Sequence, residues 1–348
     1  MKINPGKYCF KHPSGPDIFL YNLKNTRGME VSISNYGAII TSLKVIDKSG
    51  RLNDMVLGFD KMEDYFDPAY LDQYPWFGAA VGRYANRIGN ADFEHDGKKY
   101  SLTRNRPEGQ LHGGPGGFDR RAWEWVDGGR PGDSFLELKY FSKDGEEGFP
   151  GNLSVTIRYE LNENSLSYEF TATTDKATPV NLTHHSYFNF NNGEGRIEAH
   201  EIKIPAARIL EQDGHLVATG NYSDIADTAF DFREFKSIGE GLKQREEFDQ
   251  SYVLDKGNQI SLVAEARYPP SGIHLQILST EPVVHFYSGK WIPAVNGKNA
   301  TQYGPFSGFC LETMKHANAV KFPHFPNTIL HPWEKYFQKT VYQFNIVP

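Results

Sequence analysis

The chain has 348 residues, of which 43 are acidic and 37 are lysine or arginine, for a formal net charge of -6. Because these charges are scattered and form no basic stripe, the composition argues against nucleic acid or an anionic membrane surface as a partner. The two cysteines, Cys9 and Cys310, offer no disulfide framework and fit a reducing compartment. No apolar run is long enough to span a bilayer and no apolar leader is visible, so we expect a cytoplasmic protein. A leader removed earlier would leave no trace.

Strand-forming and turn-forming residues are abundant, since 19 tyrosines and 24 phenylalanines accompany 33 glycines and 20 prolines. The aromatic residues favour strands, and glycine and proline favour turns. No internal repeat, low-complexity linker or abrupt change of composition divides the chain. We therefore predict a single domain, residues 1–348, with few long helices.

Strand signals recur along the whole chain. Asp96-Gly97 is typical of a tight hairpin turn between two short strands. Hydrophobic and polar residues then alternate, as expected for half-buried strands, in four segments: 136–140, 153–161, 166–173 and 273–277. The polar turn 162–164 joins the second and third of these into a hairpin. The pattern predicts an all-β fold, a large antiparallel β-sandwich.

Two polar segments in the first third of the chain are candidates for ligand binding. Segment 82–89 offers arginine and asparagine donors, although charged loop residues are most often simply solvated. In segment 110–114, the glycines would let the backbone and the imidazole of His112 approach a ligand closely. An ordinary glycine-rich surface loop has the same composition, and that alternative stays open.

Two later segments combine chemistry-bearing residues with apolar neighbours. Segment 181–189 brings together amide, imidazole, hydroxyl and aromatic groups, which suit a polyol, but a strand with satisfied core polar groups has the same composition. His184 and His185 are adjacent on a predicted strand, so at most one of them faces a site and they form no metal cluster. Glu312 interrupts the apolar run 308–313 and is predicted to be buried, either as a functional carboxylate or as half of a buried ion pair.

Several cofactor motifs are absent from the sequence. There is no phosphate-binding P-loop, no nucleophile elbow of the form GxSxG and no HExxH metal motif. The glycine cluster 113–117 does not open a predicted helix. These motifs therefore give little support to a nucleotide cofactor or a metal.

Five motifs, in their order along the chain, closely resemble the aldose 1-epimerase family: VGRYANRIG, LHGGPGGFD, NLTHHSYFNF, EEFDQSYVL and SGFCLET. The resemblance extends from SNYGAIITSLKV near the start to FPNTILHPWEKY near the end, and so covers nearly the whole chain. It is far more specific than any one of the motifs.

The resemblance implies a mutarotase-type β-sandwich that interconverts the α and β anomers of free aldohexoses such as galactose and glucose. It also implies a reaction without metal or nucleotide, on a small aldose bound by a monomer or a homodimer. His185 matches the family's proton donor and Glu312 its base. The implied site residues are Glu312, His185 and His112 for catalysis, and Asn86, Arg87, Asp249, Tyr187 and His285 for sugar contacts.

One position departs from the family pattern, because His285 stands where members commonly carry glutamine. An imidazole cannot reproduce the paired donor and acceptor of an amide. We expect a changed sugar preference at this position.

Three rival functions remain open on the sequence. An epimerase of phosphorylated hexoses would need extra basic residues near the far end of the sugar. A sugar sensor without activity would use the same scaffold, since fold alone does not decide function. A glycoside hydrolase would need two carboxylates, and Asp249 and Glu312 are candidates for that pair.

Overall fold

The computed structural model describes residues 4–347, and most of their regular structure is β-strand. The described helices are short: α1 (Pro68–Gln73) and α2 (Ile238–Leu242), with single 3-10 turns at Met62–Phe66, Phe118–Arg120, Glu146–Gly148, Lys298–Ala300 and Ala319–Lys321. No helix in this part of the chain combines the length and apolar character needed to cross a membrane. The prediction of few long helices is confirmed.

Strands follow one another from Lys7 to Ile346. The first half of the chain contains β1 (Lys7–Lys11), β2 (Asp17–Lys24), β3 (Glu30–Ser34), β4 (Ile40–Ile46), β5 (Leu52–Asp54), β6 (Ala80–Val81), β7 (Arg87–Gly89), β8 (Asp92–His95), β9 (Lys98–Ser101), β10 (Gly109–Leu111), β11 (Glu124–Gly128), β12 (Phe135–Ser142), β13 (Leu153–Leu161) and β14 (Ser165–Thr174). The second half contains β15 (Thr178–Pro179), β16 (Thr183–His184), β17 (Glu201–Lys203), β18 (Arg208–Gln212), β19 (Ala218–Asp224), β20 (Lys236–Ser237), β21 (Asp249–Val253), β22 (Ser261–Tyr268), β23 (Ile273–Ser279), β24 (Val283–Tyr287), β25 (Val295–Asn296), β26 (Gln302–Tyr303), β27 (Cys310–Met314), β28 (Ile329–Leu330) and β29 (Tyr336–Ile346).

Three large sheets organise these strands. A nine-stranded sheet has the order β11-β12-β13-β14-β29-β23-β22-β17-β20, and two five-stranded sheets have the orders β1-β2-β3-β4-β5 and β19-β18-β21-β24-β27. Neighbouring strands in the central part of the large sheet pair antiparallel. The predicted all-β, antiparallel sandwich is confirmed.

Two hairpins show how local sequence sets the register. In β13 and β14 the pairing runs from Leu153 opposite Thr174 to Leu161 opposite Leu166, as the alternation predicts. Between β8 and β9, Asp96 and Gly97 both have positive φ, 51° and 70°. A two-residue turn with both central residues in the left-handed region matches the twist of the flanking strands, which explains why aspartate and glycine stand there.

The main hydrophobic core lies where the inner faces of the three sheets meet. It takes alternate residues from β13, among them Val155 and Ile157, which are completely buried. The same cluster includes Tyr252 of β21, Phe286 of β24 and Leu311 of β27. Burying each such side chain stabilises the fold by about 1.5–3 kcal/mol. Three strands of the second five-stranded sheet therefore have one face anchored in the core, and the other face is left for the site.

Candidate active site

The floor of the candidate site is the outer face of β21, β24 and β27. Because side chains alternate along a strand, Asp249, His285 and Glu312 point away from the core that holds their neighbours. The register places His285 directly opposite Ser251 on one side and Glu312 on the other. Polar groups from three strands, distant in sequence, thus stand in one row.

A second group of site residues comes from the loops around β7 and β10. These strands pair with Arg87 opposite Leu111, which brings Asn86 beside His112. The His112 N–H donates to the Asn86 carbonyl at 3.1 Å, and the Asn86 N–H approaches Nδ1 of the His112 ring at 3.3 Å. Asn86 and His112 have positive φ values of 61° and 51°, a conformation in which asparagine and histidine are enriched.

His185 follows the two-residue strand β16, and its backbone is joined to the turn before β6. Its N–H donates to the Ala79 carbonyl and its carbonyl accepts from the Gly78 N–H, both at 2.9 Å. On the imidazole, Nδ1 lies 3.4 Å from Sγ of Cys310, and Nε2 lies 3.6 Å from Oε1 of Glu312. The ring is therefore fixed with one nitrogen towards the carboxyl group.

The neighbouring His184 points the other way. Its Nε2 lies 3.1 Å from the Tyr159 hydroxyl and its Nδ1 lies 3.1 Å from the Ser186 hydroxyl, both buried groups. Only His185 of the two faces the site, as the sequence predicts. Most of segment 181–189 is irregular rather than strand, because only Thr183 and His184 pair in a sheet.

All the residues assigned from the sequence line one cavity of about 130 Å³. The assigned lining residues are Asn86, Arg87, His112, His185, Tyr187, Asp249, His285 and Glu312. This is small beside the ~300–1,000 Å³ of sites for drug-sized ligands. It suits a single sugar ring better than an oligosaccharide.

A larger cavity of about 690 Å³ opens beside the β8–β9 hairpin and shares none of these residues. One of its acidic residues, Asp92, is paired with Lys99 at 2.8 Å and with Lys321. The charge of Asp92 is thus balanced within the protein, whereas the smaller cavity holds a buried carboxyl group opposite an imidazole. Size alone favours the larger cavity, whereas the pairing of a carboxyl group with an imidazole favours the smaller one as the candidate site.

Burial dominates the electrostatics of the Glu312 and His185 pair. Glu312 is 1% exposed, and burial, reinforced by the negative charge of Asp249, raises its pKa well above the usual value. Burial lowers the pKa of His185 to about 3. Within residues 4–347, Oε2 of Glu312 has no hydrogen-bond partner. A buried carboxyl oxygen without a partner is costly, so this atom is available to a ligand hydroxyl.

Asp249 behaves differently because it has charged partners. Its Oδ1 lies 2.8 Å from Nε2 of His285, and its Oδ2 lies 3.7 Å from Nη2 of Arg87. Burial would raise its pKa, but the arginine and the histidine outweigh burial and lower it to about 2. The cavity therefore contains one carboxyl group that favours its protonated form and one that stays ionised.

Both ring nitrogens of His285 have protein partners. Nε2 donates to Asp249, and Nδ1 accepts from the Ser251 hydroxyl at 2.9 Å. The amide of Asn86 lies further from the same Nδ1, at 3.5 Å. His285 lines the cavity, but its hydrogen bonds are directed at Asp249 and Ser251 rather than at the cavity space.

One set of side chains has the composition of a metal site. The ligand atoms of His112, His185 and Glu312 all lie within 4.8 Å of one another, a grouping that the spacing of the histidines in the sequence does not reveal. However, the Asn86 N–H occupies Nδ1 of His112 and so places the ring proton of the neutral imidazole on Nε2. A metal-bound histidine instead donates its second ring N–H to an acceptor. The donor set does not fit a resident metal ion, and His112 is arranged as a hydrogen-bond donor.

Comparison with known proteins agrees with this geometry. The aldose 1-epimerase family profile matches residues 20–343. This chain belongs to the aldose 1-epimerase family. Galactose mutarotase of Bos taurus is 39% identical over 322 residues, covering 91% of this chain and 92% of that protein. Aldose 1-epimerase of Escherichia coli K12 is 32% identical over 342 residues, covering 95% and 96%.

Solved structures place this aldose 1-epimerase family member in the same fold. The crystal structure of a GalM/aldose epimerase homologue from C. elegans superposes with a TM-score of 0.87 at 32% identity, covering 95% of this chain and all of that one. The galactose 1-epimerase from Lactobacillus acidophilus NCFM gives a TM-score of 0.81 at 26% identity, with 98% of each chain covered.

Several lining residues of this family member were not assigned from the sequence: Gln73, Pro75, Trp76, Arg106, Leu111, Tyr287 and Trp291. Tyr287 could have been predicted from the alternation of side chains along a strand, because it lies two positions after His285 on the same face of β24. Trp76 and Trp291 lie in turns, where no periodic signal exists.

Proposed function

We propose that this chain interconverts the α and β anomers of free aldohexoses, with galactose and glucose as the expected substrates. The observation that carries the proposal is the pair formed by Nε2 of His185 and Oε1 of Glu312, 3.6 Å apart in a small buried cavity lined by hydrogen-bonding groups. Anomer exchange needs one group to take a proton and one to give a proton at neighbouring oxygens, and this pair supplies both.

In the proposed reaction, Glu312 takes the proton of the C1 hydroxyl while His185 gives a proton to the ring oxygen. The bond between C1 and the ring oxygen breaks, and C1 becomes an aldehyde carbon. Rotation about the C1–C2 bond then presents the other face of the aldehyde. In ring closure the roles are reversed: Glu312 gives its proton to the C1 oxygen, and His185 takes the proton of the hydroxyl that attacks C1, so the protein is unchanged after each turnover.

The pair needs one exchangeable proton, and its resting position is set by the surroundings. Burial favours the uncharged state of the protein alone, in which Glu312 carries the proton and His185 is neutral. Hydrogen bonds donated by sugar hydroxyls to a carboxylate favour its ionised form. Sugar binding would therefore shift the proton towards His185 and produce the base and acid of the proposed first step.

The remaining residues orient the sugar. His112, with its ring proton on Nε2, would donate to the ring oxygen as negative charge develops there. Asp249, kept ionised by Arg87 and His285, would accept from sugar hydroxyls. Asn86 and Arg87 supply further donors at the same wall. Tyr187 packs against His185, with ring centroids 5.0 Å apart, and supports it from the protein side.

Polarimetry with freshly dissolved α-galactose and α-glucose tests the proposal directly. Glu312→Gln and His185→Asn should each slow mutarotation by roughly a hundredfold or more, the contribution of one well-placed acid or base. Glu281→Gln is the matched control, since Glu281 is also buried with a pKa raised by burial but lies outside the cavity. Full activity in Glu312→Gln would remove the base assignment, and an inactive wild type would remove the function.

A disaccharide assay in parallel separates the glycoside hydrolase alternative, which predicts release of monosaccharide. The alternative of a phosphorylated substrate predicts stronger binding of a hexose phosphate than of the free hexose. For assembly we keep the prediction of a monomer or homodimer. For the compartment we propose the cytoplasm, which suits the free thiols of Cys9 and Cys310.

A further inference from the structure

Trp76 lies in the turn between α1 and β6 and touches both site histidines. Its ring centroid is 4.7 Å from that of His112 and 6.0 Å from that of His185. The indole and the His185 imidazole are stacked, with 23° between their planes. The side chain is half-buried and lines the cavity. Trp76 is therefore placed where it touches both imidazoles at once.

A second aromatic ring completes the packing of His185. Tyr187 stacks on the same imidazole at 26°, with its ring completely enclosed by the protein. With Trp76 and Tyr187 on the ring and Cys310 near Nδ1, the imidazole has little freedom to rotate. The remaining nitrogen, Nε2, is the one that faces Glu312.

The backbone at Trp76 is held in an unfavourable conformation. Its φ is 57°, a left-handed value that a bulky side chain rarely adopts. Such a residue costs about 1–3 kcal/mol of strain and persists only where the surroundings enforce it. The hydrogen bonds of Gly78 and Ala79 to the backbone of His185 hold this turn. Glycine or asparagine would adopt this φ with less strain. Tryptophan therefore stands at this position although its backbone conformation is strained.

A cation also packs on the indole. The guanidinium of Arg106 lies over the ring, 5.7 Å from its centroid. Arg106 is exposed and belongs to the loop before β10, the strand that leads to His112. The indole thus packs against an exposed cation as well as against the two imidazoles.

We propose that Trp76 is a positioning residue that holds the imidazoles of His112 and His185 in the geometry needed for proton transfer. The inference rests on the proposed function, because it assigns the purpose of the contact to that reaction. Loss of the indole should free both rings and admit water. The chemical step should then slow while sugar affinity, which depends on the polar groups of Asn86, Arg87 and Asp249, changes less.

The test compares Trp76→Asn and Trp76→Gly, which remove the ring and accept a positive φ, with Trp76→Phe, which keeps a ring. Each ring-free variant should lose roughly 10- to 100-fold in kcat, as expected for a displacement of about 1 Å at a reacting group. KM should change by no more than about threefold, the signature of an effect on the chemical step. Trp76→Phe should stay within about threefold of wild type in kcat.

Trp333→Asn is the matched control, since Trp333 is 79% exposed and lies outside the cavity, and it should leave kcat and KM unchanged. Cooperative thermal unfolding shows that each variant is folded. NMR of the His112 and His185 ring nitrogens, which needs no turnover, should show broadened signals in Trp76→Asn and sharp ones in wild type.

An unchanged kcat in both ring-free variants, a rise in KM alone, or sharp imidazole signals in Trp76→Asn would overturn the inference. An inactive wild type with ordered imidazoles would instead overturn the proposed function. In that case the NMR comparison still decides whether Trp76 orders the rings.

Discussion

Replacement of His285 gives the most informative test of how the site floor is built. His285 donates to Asp249 at 2.8 Å and accepts from Ser251 at 2.9 Å. His285→Ala removes both hydrogen bonds and leaves the Asp249 carboxylate, whose side chain is 12% exposed, without its nearest donor. His285→Gln keeps one donor and one acceptor at the end of the side chain, so it can retain the link to Asp249.

The size of the effect follows from these contacts. A buried polar or charged group that loses its partner is destabilised by about 1–3 kcal/mol, which corresponds to roughly 5- to 150-fold in an equilibrium or rate. Arg87 stays near Asp249, at 3.7 Å, and keeps the loss in the lower part of this range. We expect His285→Ala to reduce kcat/KM by roughly tenfold or more, and His285→Gln by about threefold or less.

The assay is polarimetric or coupled measurement of kcat/KM for galactose and for glucose, with thermal unfolding as the check on folding. If the alanine and glutamine variants were equally impaired, the hydrogen bonds to Asp249 and Ser251 would not be the function of His285. If the alanine variant retained full activity, the reasoning on Asp249 would be refuted. A change in the ratio of galactose to glucose activity in His285→Gln alone would show that the imidazole influences sugar preference.

Three further perturbations test other parts of the structure. Lys298→Ala leaves Asp54, bonded at 2.7 Å in a buried pair, without its cation, and should lower the free energy of unfolding by about 3–5 kcal/mol in denaturant titration. Gly113→Ala should abolish activity and lower the melting temperature, because its Cβ would lie 1.9 Å from the Gly82 carbonyl oxygen and its φ is +84°. Burial lowers the pKa of His200 to about 3, whereas the pKa of histidine in the unfolded chain is near 6.5. Between these two pH values the unfolded chain therefore binds one proton more than the folded chain. Stability should therefore fall as pH drops through this window, by at most about 1.4 kcal/mol per pH unit, and unfolding curves of His200→Gln should show a shallower slope; equal slopes would contradict the assignment.

The parts of the fold that repeat every two residues were accessible from the sequence. The β13–β14 hairpin and the Asp96-Gly97 turn follow from alternation and from the dihedral preferences of two residues. The pairing of β21 with β24 and of β24 with β27 was not accessible, because it joins segments far apart in the chain through long-range packing.

The features of the candidate site also divide into those that the sequence predicts and those that depend on long-range packing. His185 and Glu312 were assigned from the sequence because their local neighbours are unusual and because whole motifs resemble a known family. Their separation, the proton position on His112 and the link from His285 to Asp249 depend on tertiary structure. The lining residues in turns could not be predicted from the sequence. A tryptophan in a turn belongs to no alternation of polar and apolar residues that would assign it to a face.

The strands that form the floor of the site also form a wall of the core, and this has an evolutionary consequence. Any substitution that moves Phe286 or Leu311 shifts the backbone that carries His285 and Glu312. Selection therefore acts on it through both the stability of the fold and the activity of the site. The rim is made of turns, and Trp291 there is largely exposed. Variation in the turn that carries Trp291 can accumulate without disturbing the interior, and adaptation to a new sugar would proceed most easily through that turn.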